Sequence, residues 1–297
     1  MRTNIEFNAD GVTLRGWFYK PDSGKGPFPT VVMAHGFTAT KEMTLDRYAE
    51  VFSGRGLAVL VYDNRTLGDS DGLPRHNIDP TEQMRDYRYA VTYAQSCGDV
   101  DPNRIGLWGT SYTGGTVITV AALDRRVKAI VSQVPFVKGM ANIKQFLPIS
   151  QWDEFAVMLD EDRKRRMKGE PSQYIPVTTD DPNSVAAFPG IRTHRYFNDF
   201  ASSVPGIKWE NKVTVRSIEF LMEYDVTAFA PQVSPTPMMM IVSERDKSAT
   251  TELAMEVFQL AREPKELVII RADHYASYIE DFAMTSAAAR DFFLKHL

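Results

Sequence analysis

A single serine stands where an apolar run gives way to a glycine-rich turn, in the segment 104–115, RIGLWGTSYTGG. The apolar run ends at Gly109, and Ser111 follows two residues later. A serine in the pattern G-x-S-x-G acts as a nucleophile from a tight strand-to-helix turn. In this segment Thr113 takes the fifth position, and the glycine comes one residue late. The same stretch also suits a serine that caps a helix, or a loop that binds phosphate, so other residues must decide between the three.

A nucleophilic serine needs two partners, and the sequence supplies both types. A base must remove the hydroxyl proton, and histidine, whose pKa is ordinarily about 6.5, suits this task. A carboxylate must then fix the histidine tautomer and stabilise the imidazolium. Further along the chain, Asp246 follows the apolar run PMMMIVS, and His274 follows ELVIIRA. Glu244 is an alternative carboxylate, whereas Asp273, directly beside the histidine, is expected to be structural.

The intermediate of acyl transfer carries an oxyanion, which needs N–H donors already aimed at it. We expect one donor to be the backbone N–H of Tyr112, at the start of the helix that follows the serine. The backbone N–H of Phe37, in the segment AHGF, is expected to be the other. His35 is expected to brace this loop rather than to act as a base. Lys41 and Glu42 are expected to form an ion pair that fixes the same loop.

These residues follow short apolar runs that have the length of buried strands. The runs are TVVMAH, LAVLVYD, RIGLWG, KAIVSQV, PMMMIVSE and ELVIIRA. Strands that are apolar on both faces are typical of a parallel sheet covered by helices. The segment IEFNADGVTLRGWFYKP alternates and turns at Asp10 and Gly11, which predicts a β-hairpin near the N-terminus.

Helix-like segments separate the apolar runs. One of them, TEQMRDYRYAVTYAQSCG, opens at Thr81, which we predict to be its N-cap. Strands that alternate with helices predict right-handed crossovers and an open α/β sheet with helices on both faces. Ligands of such sheets bind beyond the carboxyl ends of the strands. Ser111, Asp246 and His274 all fall at such ends.

One interval breaks the alternation, between the sixth and seventh strands. About a hundred residues separate KAIVSQV from PMMMIVSE, and a structureless loop of that length is uncommon in a compact domain. We therefore predict a lid inserted at 137–235, with an α/β core formed by 1–136 and 236–297. The lid is rich in aromatic side chains. Four of its residues are candidates for substrate contact: Phe146, Trp152, His194 and Tyr196.

Five motifs together resemble one protein family. They are VVMAHGFTATKE, VYDNRTLGDSDG, DPNRIGLWGTSYTGG, IVSERD and ADHYASY, and they are similar to motifs of α/β-hydrolases of the dienelactone-hydrolase-like superfamily. The likeness is nearest to the branch that includes fungal polyketide transferases and thiohydrolases. It covers nearly the whole chain and is weakest in the lid. Many members carry G-x-S-x-x-G, as this chain does, so the resemblance implies that Ser111 is the nucleophile, Asp246 the acid and His274 the base.

The resemblance implies an α/β-hydrolase fold and an enzyme that hydrolyses or transfers acyl groups. The substrate would be an ester, a thioester or a lactone that forms an acyl-Ser111 intermediate. A large apolar, polyketide-like acyl group of secondary metabolism is implied, and a carrier-bound thioester is one form it can take. A small-molecule carboxylesterase is one alternative, and a non-hydrolytic catalyst or binding protein on the same fold is another. A peptidase is less expected, because no propeller-type domain accompanies the core.

Composition argues against several other classes. The net charge of the 297 residues is −4, the isoelectric point is about 5.8 and no long basic run occurs, so nucleic acid is not an expected partner. The single cysteine, Cys97, excludes an internal disulfide framework and a cysteine-rich zinc site. No apolar stretch reaches the roughly 18–20 residues of a membrane span, and GTSYTGG matches no nucleotide fingerprint. We expect a cytoplasmic protein without cofactor or metal, and the resemblance leaves room for a homodimer.

Overall fold

A computed structural model describes residues 1–147, 149–181 and 184–297, without the side chain of Phe146. The strands β7 and β8 pair with each other, and the other strands form one eight-stranded sheet. In chain order, the strands are β1 (Arg2–Ala9), β2 (Val12–Tyr19), β3 (Phe28–Ala34), β4 (Ala58–Tyr62), β5 (Val100–Thr110), β6 (Val127–Gln133), β7 (Tyr174–Ile175), β8 (Val213–Thr214), β9 (Met238–Ser243) and β10 (Lys265–Ile270).

The main sheet has the strand order β1-β2-β4-β3-β5-β6-β9-β10. β1 runs antiparallel to β2, and β2 runs antiparallel to β4, whereas the other neighbours are parallel. The predicted hairpin is confirmed, and Asp10 and Gly11 form its turn with φ values of 53° and 86°. Positive φ at both central positions is what a two-residue hairpin turn requires. The predicted mostly parallel sheet is therefore confirmed, with an antiparallel hairpin at one edge.

Helices follow most of the strands, and short 3₁₀ helices lie at Ile149–Gln151, Ala230–Gln232 and His274–Tyr278. Within the described residues we find no helix with both the length and the apolarity that a bilayer span requires. The α-helices are α1 (Leu45–Ser53), α2 (Pro80–Ser96), α3 (Tyr112–Leu123), α4 (Gly139–Phe146), α5 (Trp152–Met167), α6 (Ile191–Ser203), α7 (Val215–Glu223), α8 (Thr251–Leu260) and α9 (Phe282–His296).

Helix α2 has a different cap from the predicted one. The carboxylate of Asp79 accepts the backbone N–H of Thr81 at 3.0 Å and that of Glu82 at 3.2 Å, so Asp79 is the N-cap. Pro80 occupies the first helical position, where its fixed φ is favourable and its missing N–H costs nothing. The prediction of Thr81 as the cap was wrong, because a proline at the first position moves the cap to the residue before it.

Alternate residues of the central strands enter two separate cores. In β3, Val31 and Met33 face one layer and Val32 and Ala34 face the other, and all four are fully buried. Helices α1 and α9 cover the first face, and α2, α3 and α8 cover the second. Helices on both faces, as predicted, explain why these strands read as continuous apolar runs.

The interval between β6 and β9 contains helices α4 to α7 and the small sheet of β7 and β8. Many of its buried apolar side chains, among them Phe155, Tyr196 and Ile218, belong to the same cluster as the first face of the main sheet, and others join the cluster of the second face. An ion pair of 2.8 Å between Lys208 and Asp69 joins it to the loop after β4. The predicted boundaries of the lid, and the action of this interval as a lid, stay predictions.

Candidate active site

Ser111 occupies a strained turn between the end of β5 and the start of α3. Its φ of 55° and ψ of −122° lie in a region that residues other than glycine rarely adopt. The turn is held on both sides, because Ser111 donates its N–H to the carbonyl of Gln133 and accepts the N–H of Phe136, each at 2.9 Å. The side chain makes no capping hydrogen bond to the helix. The hydroxyl is therefore not used as an N-cap, which was the simpler structural interpretation of this serine.

Thr113 fits beneath this turn instead of disturbing it. It is fully buried, and its Oγ1 accepts the backbone N–H of Thr110 at 3.0 Å. The same hydroxyl donates to the carbonyl of Ala34 at 2.8 Å. Thr113 thus ties the end of β5 to the end of β3, where a glycine would leave both backbone groups without this partner.

The two late glycines bring helix α3 close to the chain that follows β6. A Cβ on Gly114 would lie 2.8 Å from the carbonyl oxygen of Gln133, and one on Gly115 would lie 2.3 Å from that of Phe136. Real Cβ atoms do not approach backbone oxygens this closely, so only glycine fits at these positions. The close packing that the G-x-S-x-G pattern assigns to one glycine is here carried by Gly114 and Gly115.

His274 and Asp246 are paired at the carboxyl ends of β10 and β9. The distance from His274 Nδ1 to Asp246 Oδ2 is 2.6 Å, and both side chains are buried. The other carboxylate oxygen accepts the backbone N–H groups of Ser248 at 2.9 Å and Ala249 at 2.7 Å. A carboxylate held in this way accepts the Nδ1 proton of the histidine and leaves Nε2 as the basic nitrogen.

The two neighbouring carboxylates point elsewhere. Asp273 Oδ1 accepts the backbone N–H groups of Tyr275 and Ala276, both at 3.0 Å, and so caps the 3₁₀ helix that begins at His274. This agrees with the structural role expected for Asp273. Glu244 is exposed, and no side-chain hydrogen bond joins it to His274 within the described residues.

The loop after β3 lies directly against Ser111. A Cβ on Gly36 would lie 2.9 Å from the Cβ of Ser111, so the loop approaches the serine as only glycine allows. The next backbone N–H, that of Phe37, donates to no backbone carbonyl of the described chain. Tyr112 is the first residue of α3, so its N–H has no partner within the helix. The two N–H groups predicted to face an oxyanion are therefore both close to Ser111, and among the described residues neither has a backbone acceptor.

His35 braces this loop from below. It is buried, its Nδ1 accepts the N–H of Gly36 at 2.7 Å, and its Nε2 donates to the carbonyl of Met43 at 2.7 Å. Burial lowers the pKa of His35 to about 4, so the ring is neutral at physiological pH. The expected bracing role agrees with these contacts.

A buried lysine fixes the far end of the same loop. Lys41 Nζ lies 2.7 Å from a carboxylate oxygen of each of Glu42, Asp63 and Asp69. The backbone N–H of Lys41 also donates to Asp63 at 2.8 Å. Burial raises the pKa of Asp63 to about 6, against the opposing effect of the lysine charge. Three carboxylates this close would suit a cation, and the lysine ammonium lies among them. The expected pair of Lys41 and Glu42 is present within this larger network.

A cavity of about 30 Å³ brings Ser111 and His274 together beside Phe37. Its volume accommodates about one or two water molecules. Tyr196 lines it, as predicted for a residue in contact with substrate. The other lining residues are His35, Gly36, Ala39, Phe188, Phe197, Ser248, Tyr275 and Tyr278.

Two of the four candidates for substrate contact, Trp152 and His194, are not among the described residues that line this cavity. Trp152 packs edge-on against Phe155, with ring centroids 5.7 Å apart, and His194 lies 3.9 Å from Asp180. The side chain of Phe146 lies outside the described residues. Sequence reasoning missed Tyr275 and Tyr278 as lining residues. The two tyrosines follow His274 in the motif DHYASY, and their position after a strand end was the available signal.

Comparisons with known proteins show what the chain is similar to in sequence and fold. The model of the S15 family, described as X-Pro dipeptidyl-peptidase, matches residues 10–276. A polyketide transferase from Penicillium sp. is 31% identical over 282 residues, which are 94% of this chain and 90% of the relative. A thiohydrolase from Eupenicillium brefeldianum is 33% identical over 268 residues, which are 89% of this chain and 84% of the relative. The crystal structure of the α/β-hydrolase GrgF from Penicillium sp. sh18 is 29% identical, with a TM-score of 0.85 over 100% of this chain and 99% of that one.

Proposed function

The chain belongs to the S15 family, and from that premise we propose that it hydrolyses or transfers acyl groups through a covalent acyl-Ser111 intermediate. The resemblance to α/β-hydrolases and to their polyketide transferase and thiohydrolase branch is confirmed, as is the α/β-hydrolase fold. An enzyme of the hydrolase or transferase type is supported by family and relatives alike. The roles of individual residues are part of the proposal.

The observation that carries the proposal is the arrangement of three side chains at the carboxyl ends of β5, β9 and β10, along one edge of the sheet. Ser111 stands on a strained turn, and its hydroxyl makes no capping hydrogen bond to the helix. It shares one cavity with His274, which is paired with Asp246 at 2.6 Å. His274 Nε2 takes the hydroxyl proton as Ser111 Oγ attacks the carbonyl carbon of the substrate. Asp246 holds the ring in the required tautomer and stabilises the imidazolium that forms.

The negative charge of the tetrahedral intermediate falls on the former carbonyl oxygen. The N–H groups of Phe37 and Tyr112 stabilise it, because both are close to Ser111 and neither has a backbone acceptor among the described residues. Collapse of the intermediate breaks the bond to the leaving group, which receives the proton from His274. An acyl-Ser111 ester remains, and water or an alcohol then attacks it with His274 again acting as base.

The walls of the cavity favour an apolar acyl group. Phe37, Phe188 and Phe197 line it together with tyrosines, and no carboxylate is among its described lining residues. The relatives named polyketide transferase and thiohydrolase suggest a polyketide-like thioester as the substrate class. A small-molecule carboxylesterase remains the alternative within the same mechanism.

The interval at 137–235 acts as a lid in this proposal. It supplies Phe188, Tyr196 and Phe197 to the cavity, whose volume of about 30 Å³ is too small for an acyl chain. Arg192 in the same interval is bound to Asp273 at 3.1 Å, directly beside the proposed base. Movement of α6 away from the 3₁₀ helix at His274–Tyr278 would widen the cavity.

The family description raises a second candidate, removal of X-Pro dipeptides. That reaction requires a free α-amino group of the substrate to be held near the serine, and a carboxylate is the natural partner for an ammonium group. The described lining of the catalytic cavity contains no carboxylate. We therefore expect no release of p-nitroaniline from an X-Pro p-nitroanilide, and turnover of that substrate would favour the peptidase.

A panel of acyl substrates tests the proposal. N-acetylcysteamine thioesters and p-nitrophenyl esters of matched acyl chains, from two to twelve carbons, are supplied to the protein and to Ser111→Ala. We expect turnover that rises with chain length and that prefers thioesters over esters, and loss of all turnover in the variant. Turnover that is highest for acetyl esters would favour the carboxylesterase. Silence across the whole panel would favour a binding protein on the same fold.

A further inference from the structure

A second and larger cleft adjoins the catalytic cavity. Its volume is about 710 Å³, which is in the range of ligand sites. The cleft and the cavity share His274, Tyr275 and Ser248, so these side chains form the wall between them. If the proposed function holds, His274 protonates the leaving group of the acyl donor, and the leaving group must therefore lie on the His274 side of the cavity. The cleft occupies that side.

The charges of the cleft do not balance. Arg192 lines it and is paired with both of its acids, with Asp273 at 3.1 Å and with Glu280 at 2.5 Å. Arg245 and Lys247 line it as well and are exposed. Arg245 donates only to a backbone carbonyl, at 2.8 Å, and within the described residues neither cation has a carboxylate partner. The uncompensated charge of the cleft is therefore positive and lies on these two side chains.

The N-terminus of α6 opens into the same cleft. Ile191 and Arg192 begin this thirteen-residue helix and line the cleft, and the N-cap is Gly190, which has no side chain to cap it. The first backbone N–H groups of a helix lack intrahelical partners and carry partial positive charge. Two free cations and an uncapped helix end in one cleft form a setting for an anion, and a phosphate with its several oxygens uses all three.

We propose that this cleft binds the phosphate of a phosphopantetheine arm on the thiol leaving group, with Arg245 and Lys247 as the phosphate-binding side chains. The proposal rests on the function proposed above and names the donor class for the same site. In the first step Ser111 Oγ bonds to the acyl carbon and the C–S bond breaks. The hydroxyl proton moves through His274 to the thiolate, which leaves as the free thiol in the cleft.

The test compares donors that carry one acyl group on different thiols. The donors are S-acyl pantetheine, which has no phosphate, S-acyl phosphopantetheine, S-acyl coenzyme A and the same acyl group on an acyl carrier protein. The readout is the ratio of kcat/KM for S-acyl phosphopantetheine to kcat/KM for S-acyl pantetheine. We expect a ratio of about ten or more for the wild-type protein, since a charge-assisted hydrogen bond corresponds to roughly a tenfold effect.

Two variants test whether Arg245 and Lys247 cause the preference for the donor that carries a phosphate. Arg245→Ala/Lys247→Ala is expected to bring the ratio to about one, while Arg245→Lys/Lys247→Arg retains most of it. The control Lys25→Ala/Arg55→Ala removes an equally exposed lysine and arginine before β3 and β4, at the opposite edge of the sheet, and keeps the wild-type ratio. The ratio cancels a general loss of activity caused by the proximity of both positions to Asp246. In the wild-type protein it is also expected to fall towards one as salt is raised, because the attraction is screened.

The outcomes separate the inference from the proposed function. A ratio of about one in the wild-type protein, or a double variant that keeps the wild-type ratio, overturns the phosphate site while hydrolysis of thioesters stands. Absence of turnover on every thioester overturns both. Preference for the coenzyme A donor assigns the arm to free coenzyme A, and preference for the carrier-protein donor assigns it to a protein-bound arm. Either preference supports the site, since the two donors share the phosphate.

Discussion

The hydroxyl of Tyr196, on helix α6, lies 3.3 Å from Nε2 of His35, under the loop after β3 that lies against Ser111. The same hydroxyl donates to the carbonyl of Met43 at 3.3 Å, the group that also accepts the His35 proton. A side chain from the interval between β6 and β9 thus contacts the loop that follows strand β3 and helps to hold it in place. This links the position of the proposed lid to the position of the Phe37 N–H.

Removal of this hydroxyl by Tyr196→Phe is expected to lower kcat more than it raises KM. The ring still fills its place beside Tyr275 and Tyr278, while His35 and Met43 lose one partner. One neutral hydrogen bond corresponds to about 0.5–1.5 kcal/mol, or roughly a twofold to twelvefold change in kcat. Steady-state kinetics on a thioester check this.

Tyr174→Phe is the matched control, because its hydroxyl also donates to a backbone carbonyl, that of Arg75, at 3.1 Å on an exposed strand. If Tyr196→Phe and Tyr174→Phe had equal kcat values, the Tyr196 hydroxyl would not position the loop after β3.

His35 gives stability a defined dependence on pH. Its folded pKa of about 4 lies below the ordinary value of about 6.5, because burial penalises the charged ring. Between these two values the unfolded chain binds more protons than the folded one, so the contribution of His35 to stability is lost as pH falls through this window. Two and a half pKa units correspond to about 3 kcal/mol.

Urea unfolding of the wild type and of His35→Gln from pH 7 to pH 4 isolates this contribution. Asp63 has a raised pKa and contributes a trend of the opposite sign in both proteins, so it cancels in the difference. We expect the variant to have a lower free energy of unfolding than the wild type at pH 7. This difference is expected to shrink by about 2–3 kcal/mol at pH 4. A difference in the free energy of unfolding that stays constant from pH 7 to pH 4 would exclude a neutral, buried His35.

Lys41 neutralises buried carboxylates, so its loss is expected to be costly. Lys41→Met leaves Asp63, which is fully buried, without its cation. Breaking a buried ion pair on one side costs about 3–5 kcal/mol. The double variant Lys41→Met/Asp63→Asn is expected to recover part of that loss. The free energy of unfolding in urea measures both.

Lys164→Met serves as the comparison, since this lysine forms exposed pairs with Asp160 and Glu161 on helix α5. Exposed pairs of this kind contribute about 0–1 kcal/mol. Equal destabilisation of the two single lysine variants would mean that Lys41 does not stabilise the buried carboxylates.

The contribution of Thr113 to stability is expected to come from its hydroxyl group rather than from the shape of its side chain. Thr113→Val leaves the N–H of Thr110 and the carbonyl of Ala34 without this buried partner, at a cost of about 1–3 kcal/mol. Thr113→Ser keeps the hydroxyl and loses only a methyl group. In thermal unfolding, Thr113→Val should therefore have a lower Tm than Thr113→Ser. The surface variant Thr92→Val should have the Tm of the wild type. The reverse order would mean that the methyl group, and not the tie between β3 and β5, stabilises the turn.

The positions of Ser111, Asp246 and His274 were predictable because the carboxyl ends of parallel strands meet at one edge of a sheet. Each residue follows an apolar run, and β5, β9 and β10 place them at that edge. The pairing of His274 with Asp246 then requires only neighbouring strands, and β9 and β10 are neighbours.

The cavity walls were less predictable. Phe188 and Tyr196 reach the site from an interval whose place against the sheet depends on long-range contacts, which leave no periodic pattern in the sequence. Trp152 is also aromatic and lies in the same interval, yet it packs against Phe155. The two-residue strands β7 and β8 are also too short to show an alternating pattern. The predicted homodimer and cytoplasmic location stay predictions.

An acyl group carried on Ser111 adds its mass to the protein, so the trapped intermediate can be detected and located by its mass. The protein is mixed with a long-chain acyl thioester, quenched in acid, digested and mapped by mass spectrometry. We expect an acyl adduct on the peptide that contains Ser111, no such adduct in Ser111→Ala and slower formation of the adduct in His274→Ala. Turnover by Ser111→Ala at the wild-type rate, or an adduct on any other residue, would contradict the acyl-Ser111 intermediate.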